Sequence, residues 1–109
     1  MVTLTRRQSE AVFKVIADPT RREILGLLRT KSRSVGDIAS KFRTSRPAIS
    51  KHLRLMRGAG LVTTQKVGTT TICKLNARPL RAVNQWLHDY EIFWDDSLRN
   101  LKKFVEENP

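Results

Sequence analysis

Apolar residues return every three or four positions along most of this chain, a spacing that predicts helices nearly throughout. The first helix spans 6–17, with Val12, Phe13, Ile16 and Ala17 as its apolar residues. Asp18-Pro19 punctuates it, Asp as N-cap and Pro at the first helical position of a second helix over about 19–29. That helix buries Ile24, Leu25, Leu27 and Leu28 and leaves Arg21, Arg22 and Arg29 in water. Ser34 then caps a short helix whose apolar side holds Val35, Ile38, Ala39 and Phe42. The chain breaks at Arg43-Thr44 and restarts at Ser45, with Pro47 in the first turn, where its missing N–H costs no hydrogen bond. Ile49, Leu53 and Met56 form one buried stripe, and Gly58 and Gly60 supply the left-handed backbone that ends the helix.

Two short β-branched runs follow, Leu61–Lys66 and Thr70–Leu75, with Val67-Gly68-Thr69 between them, which predicts a hairpin. The last segment, from Pro79 to Glu107, is one long helix. Leu80, Val83, Leu87, Tyr90, Trp94, Leu98, Leu101 and Val105 make a near-heptad seam, and a second row of Trp86, Phe93 and Phe104 widens it. At about 1.5 Å per residue such a helix runs roughly 40 Å, longer than the domain that carries it. An apolar face on so long an element calls for a second chain. The expected fold is therefore mostly α with a small β-hairpin. It is a single domain over 1–109: a winged helix-turn-helix core (6–78) followed by a long C-terminal dimerisation helix (79–107).

Charge narrows the class. The 109 residues hold 21 Lys/Arg and 10 Asp/Glu, a net charge of +11. Residues 1–79 carry 17 basic and 4 acidic side chains, a balance of +13, whereas 80–109 carry 4 and 6, a balance of −2. The positive field thus belongs to the part with the two-helix unit, and it points to a polyanion. Opposite the buried stripe of the 45–58 helix stand Arg46, Ser50, Lys51, Arg54 and Arg57, all hydrogen-bond donors and none acidic. The hairpin tip adds Lys66, Thr69 and Thr70, all able to donate to a phosphate. No apolar run of 18 residues, signal peptide pattern or lipidation motif points to a membrane. The single Cys73 excludes an intrachain disulfide framework and a Cys-cluster zinc site, and fits a reducing cytoplasm.

The order of elements, with the strings ADPTRREIL (17–25) and SRPAISKHLRLMRGAGLV (45–62) and the FW-xx-xL-xxL pattern from Phe93 to Leu101, resembles the ArsR/SmtB family. These are bacterial winged-helix repressors that bind DNA as homodimers. The resemblance covers about residues 8–105, and the C-terminal pattern is most similar to a branch that lacks metal sites and often represses its own operon. It implies a DNA surface on the 45–58 helix and its flank: Arg43, Thr44, Ser45, Arg46, Ala48, Ser50, Lys51 and Arg54. The hairpin, as the wing, adds Lys66, Thr69 and Thr70. It also implies a dimer interface of Val12, Leu80, Val83, Leu87, Tyr90, Trp94, Leu98 and Leu101. Among these, Arg46 is placed to grip a guanine edge with its two-pronged guanidinium, set against the alternative of a solvated first-turn residue. Ser45 caps the helix and meets a phosphate; Ser50 is a groove contact or a neutral surface residue. His52 is read as a packed, hydrogen-bonded histidine rather than a DNA contact, and Arg54 and Arg57 either reach the DNA backbone or solubilise the helix.

The departures from the family are also informative. Metal-sensing members carry a Cys-x-Cys motif on the helix before the recognition helix, where this chain has Ser34-Val35-Gly36-Asp37. On the last helix, His88, Glu91 and Asp95 share a face but lack a second His, so a solvated acidic face is expected there and no metal or cofactor. Cys73 reads as a core residue. No nucleophile–base pair or phosphate-cradling glycine loop suggests an enzyme. The expected function is a cytoplasmic homodimeric repressor on a pseudo-palindromic operator in double-stranded DNA. The alternative is a winged-helix module for protein or RNA. Against RNA, every aromatic except Phe13 and Phe42 lies at or after Trp86, away from the basic surface.

Overall fold

The computed structural model describes residues 5–108, apart from the side chains of 97 and 98. Along them run α1 (Arg6–Ile16), α2 (Pro19–Thr30), β1 (Arg33–Ser34), α3 (Val35–Ser40) and α4 (Arg46–Gly58). The hairpin strands β2 (Val62–Val67) and β3 (Thr70–Leu75) follow, then a 3-10 turn (Arg78–Leu80), α5 (Arg81–His88) and α6 (Glu91–Glu107). Side chains from α1, α2, α3, α4 and the hairpin meet in one core, which includes Val12, Ile24, Ile38, Ile49, Met56, Leu61 and Cys73, all fully buried. Val15, which the reading of the first helix passed over, is buried with them, while Ala17 is exposed.

Local chemistry explains most boundaries. Thr5 and Gln8 form a capping box at the start of α1, each side chain bonded to the other's backbone N–H (3.1 and 2.8 Å). At the far end, three carbonyls that lack intrahelical donors are reached from α2. The Arg21 guanidinium donates to Lys14 O (2.7 Å) and Val15 O (3.0 Å), and Arg22 donates to Ile16 O (2.7 Å). The expectation that Arg21 remains in water is therefore corrected, since its side chain is only 15% exposed, whereas Arg22 is exposed as expected. The Asp18-Pro19 corner is so tight that α2 starts within arm's reach of the end of α1. Arg21→Ala should lower stability by about 2 kcal/mol, because charge-assisted bonds to half-buried carbonyls are lost, and the melting temperature by roughly 10 °C. Thermal melts followed by circular dichroism check this; an unchanged melting temperature would show that water caps α1 equally well.

Two carboxylates at these corners are held below their usual range. Asp18 accepts the Arg21 backbone N–H (3.1 Å) and lies near the Arg21 charge. Asp37, in the first turn of α3, accepts from the Arg33 guanidinium (3.0 Å). A depressed carboxylate adds stability that is complete above about pH 4 and is lost as pH falls through its folded value. Asp18→Asn and Asp37→Asn should each lower stability above about pH 5, where the charged carboxylate contributes fully, and flatten the acid limb, so that variant and wild type converge as pH falls. Denaturation midpoints across that range test the sign.

α4 ends in a Schellman motif. Leu61 N–H bonds to Met56 O and Gly60 N–H to Arg57 O, both at 3.0 Å, with Gly60 at φ +79°. Gly58, expected to share that role, is the last helical residue and has no positive φ; one left-handed residue suffices. The hairpin turns on Gly68-Thr69, with φ +65° at Gly68 alone, the pattern of a type II′ turn. Its strands thus include Val67 and begin at Val62, one residue later than expected. β1, which the hydrophobic pattern did not predict, pairs antiparallel with β3 (Arg33 opposite Cys73, Ser34 opposite Ile72), giving the sheet order β1-β3-β2.

The largest departure is at the C-terminus. The helix expected to run unbroken from Pro79 to Glu107 is divided at Asp89-Tyr90. There Tyr90 N–H bonds to Leu87 O (2.9 Å) and Phe93 N–H to Tyr90 O (3.1 Å), both i→i−3 contacts that tighten the turn. His88, Asp89 and Tyr90 are all weak helix formers, and Tyr90 relaxes to φ −105°. Side-chain spacing survives such a tightening, which is why periodicity did not register it.

Candidate nucleic-acid interface

The α3–α4 corner places the recognition surface. Ser34 caps α3 by accepting Asp37 N–H (3.0 Å), and Ser45 caps α4 by accepting Ala48 N–H (3.2 Å). Between the two helices Arg43 and Thr44 lie exposed. Ile49, Leu53 and Met56 pin α4 to the core, so its opposite face turns outward with Arg46, Lys51 and Arg54 exposed and Ser50 half-buried. Ala48, expected on that outward face, is half-turned toward the protein. The Arg46 guanidinium leans over the first turn of α3, where a Cβ on Gly36 would lie 3.8 Å from Nη1.

The wing stands beside this helix. Only Val62 of β2 is buried, so Lys66 and the tip residues Thr69 and Thr70 project into solvent. Arg57 Nη1 donates to Thr64 Oγ1 (3.3 Å), tying the end of α4 to the wing. Sequence reasoning left Arg57 open between backbone contact and solubility; a brace to β2 is a third role that no spacing rule would have found. A cavity of about 140 Å³ lies beneath this brace, with Ser50, Leu53 and Cys73 in its lining. Burial pushes the Cys73 thiol up in pKa, partly offset by Arg57, which keeps the sulfur protonated and unreactive.

Electrostatically the region is one-sided. From residue 38 to residue 88 the chain has ten Lys/Arg and no Asp or Glu. A helix face of donors, a capped helix N-terminus and a basic wing with no carboxylate among them form a surface suited to phosphates and base edges.

His52 occupies the packed place expected of it. Its Nδ1 is 3.3 Å from Arg21 Nη1, and a guanidinium has only donors, so Nδ1 accepts and the ring proton sits on Nε2. This contact links α4 to the α1–α2 corner across 31 positions of sequence. His88, by contrast, faces Glu91 (3.2 Å) in solvent. Among the described residues no three His, Cys, Asp or Glu converge on a point, and no helix is long and apolar enough to cross a membrane.

The expected dimer residues separate into two groups. Val12 is fully buried in the protomer's own core and leaves nothing for a partner to touch, which corrects its assignment. Leu80 and Val83 pack against the same core, and Leu87 is half-buried. Tyr90, Trp94 and Leu101 are exposed, and Trp86, Phe93, Phe104 and Val105 are exposed with them. Leu98 lies outside the residues whose side chains are described. Trp86 bridges the two groups, edge-on to Phe13 (5.9 Å between centroids) and tilted against Tyr90 (5.4 Å). Every described side chain from Ile92 to Glu107 is exposed.

Residues 18–64 match the family described as bacterial regulatory protein, arsR family. The chain is 38% identical over 79 residues to the transcriptional repressor SdpR of Bacillus subtilis, covering 72% of this chain and 88% of that protein. A crystal structure of an ArsR family transcriptional regulator superposes with a TM-score of 0.76 at 30% identity, over 86% of this chain and 97% of the other. The solution structure of a homodimeric winged helix-turn-helix DNA-binding domain from Mycobacterium bovis superposes with a TM-score of 0.64 at 26% identity, over 84% and 94% of the two chains.

Proposed function

The chain belongs to the ArsR family of bacterial transcriptional regulators, which are not enzymes, and on that premise we propose that it is a homodimeric repressor that occludes a promoter. The observation that carries this reading is the outward face of α4, donor-bearing and free of acid, standing beside a basic wing. Arg46, Ser50 and Lys51 read the major groove, and Arg54 reaches the DNA backbone beside them. Arg43, Thr44 and Ser45 hold the backbone at the helix entrance, and Lys66, Thr69 and Thr70 hold it at the wing. Ala48, half-turned inward, contributes only its closeness to the groove floor.

Apolar side chains on α5 and α6 join two copies through half-buried Leu87 and exposed Tyr90, Trp94 and Leu101, with Leu80 and Val83 at the margin. Two-fold symmetry then presents a pair of recognition helices to a pseudo-palindromic operator whose half-sites lie about 34–36 Å apart. The M. bovis domain, described as homodimeric and DNA-binding, supports both parts of the reading. The repressor acts in the cytoplasm on its own operon, without a resident metal or cofactor.

Fluorescence anisotropy of a duplex from the gene's upstream region, against a scrambled duplex at two salt concentrations, tests this. The expected result is a preference of about 10³-fold or more and a steep loss of affinity with salt. Equal binding to both duplexes would reject the operator assignment, and no binding to either would reject the DNA reading.

A further inference from the structure

A groove of about 550 Å³ runs between the C-terminal halves of α1 and α4. Its size falls in the roughly 300–1,000 Å³ range of small-molecule sites. Apolar side chains line its floor, with Val15 from α1 and Leu55 from α4. Leu55 is half exposed and lies outside both the buried stripe and the set of DNA donors, so neither the core nor the recognition surface accounts for it. Three cations, Lys14, Arg21 and Arg54, stand around this floor, and no acid lines it.

The cations are not equivalent. Arg21 donates to the α1 carbonyls and to His52, so it contributes field rather than free donors. Lys14 and Arg54 form no side-chain hydrogen bond or ion pair among the described residues. An apolar floor with two unengaged cations at its edge is complementary to a molecule with an apolar body and one anionic head. A neutral ligand would leave the charge unanswered, and a cation would be repelled.

The groove is also distinct from the aromatic face of α5. Val15 is two residues from Phe13, hence on the far side of α1 from the ring that meets Trp86. We propose that this α1–α4 groove is a binding site for a small apolar carboxylate, its chain on Val15 and Leu55 and its head group on Lys14 and Arg54. Because Arg54 also faces DNA in the proposed function, on which the antagonism rests, the bound carboxylate withdraws a phosphate partner. Ligand and operator then weaken each other by the same factor.

Methyl NMR of the full chain, titrated with decanoate below its micellar concentration, tests the site directly; 1-decanol is the neutral control. The expected result is saturable shifts at the Val15 and Leu55 methyls. Affinity should fall about tenfold or more for decanol, and for the Lys14→Gln and Leu55→Gln variants. Both substitutions are on exposed positions, and thermal melts verify that the variants fold. Equal affinity for decanol, unchanged affinity in both variants, or shifts confined to residues 86–105 would overturn the proposal. Anisotropy on the upstream duplex follows, with decanoate expected to loosen wild-type protein and to spare Lys14→Gln. Undiminished duplex affinity at saturating decanoate would overturn the antagonism. A protein that binds no duplex at all would reject the DNA reading while the methyl titration still decides the groove.

Discussion

Trp94→Glu should convert the protein to a monomer and lower operator affinity by about 10²–10⁴-fold, the loss expected when two linked half-site contacts become one. Trp94 is exposed in the protomer, so a charge there leaves the protomer's own packing intact. In the proposed dimer the same carboxylate would be buried against aromatic rings without a partner, at a cost of several kcal/mol. Trp86, Tyr90, Phe93, Trp94 and Phe104 are each between 46% and 65% exposed, an aromatic patch of the kind that marks an interaction surface. Sedimentation equilibrium gives the oligomeric state, circular dichroism verifies the fold, and anisotropy gives the affinity. A dimeric Trp94→Glu protein with wild-type affinity would remove the α5–α6 face as the interface.

Arg46→Ala carries the second large effect, on specificity rather than assembly. Arg46 is exposed in the first turn of α4, and its removal touches no buried contact. If it grips a guanine edge, the ratio of operator to scrambled-duplex affinity should drop by about 10–100-fold, equivalent to roughly 1–3 kcal/mol. Lys66→Ala is the control with the opposite signature. Being on the wing, it should weaken both duplexes about equally and reduce the salt slope by about 0.9. A preserved ratio in Arg46→Ala would show that another side chain reads the sequence, and Lys51 and Ser50 would be next on that face.

The Arg46 effect rests on an element that was plain from residue order, whereas the break between α5 and α6 beneath Trp94 was not. Ser45, Pro47 and the stripe of Ile49, Leu53 and Met56 define α4 through contacts within a few positions of one another, and the helix is where that pattern puts it. The hairpin was legible for the same reason, since Gly68 and the β-branched runs act locally. Arg21 was not. Its charge suggested water, yet it caps α1 and holds His52, because the Asp18-Pro19 corner brings α2 back against the end of α1. Val12 failed differently. An apolar residue on a helix satisfies a core and a dimer seam equally well, and only the packing of α1 against the other helices assigns it to the core.

Sequence by itself determined where α1 to α4 and the wing lie, which face of α4 is apolar, and that all charge from residue 38 to 88 is positive. Those properties follow from caps, periodicity and residue type, each set by neighbours along the chain. Tertiary structure alone decided the pairing of β1 with β3, the Arg57–Thr64 brace, the Arg21–His52 contact and the groove between α1 and α4. Each joins groups on separate elements, and its existence depends on how those elements pack in space, which no local pattern encodes.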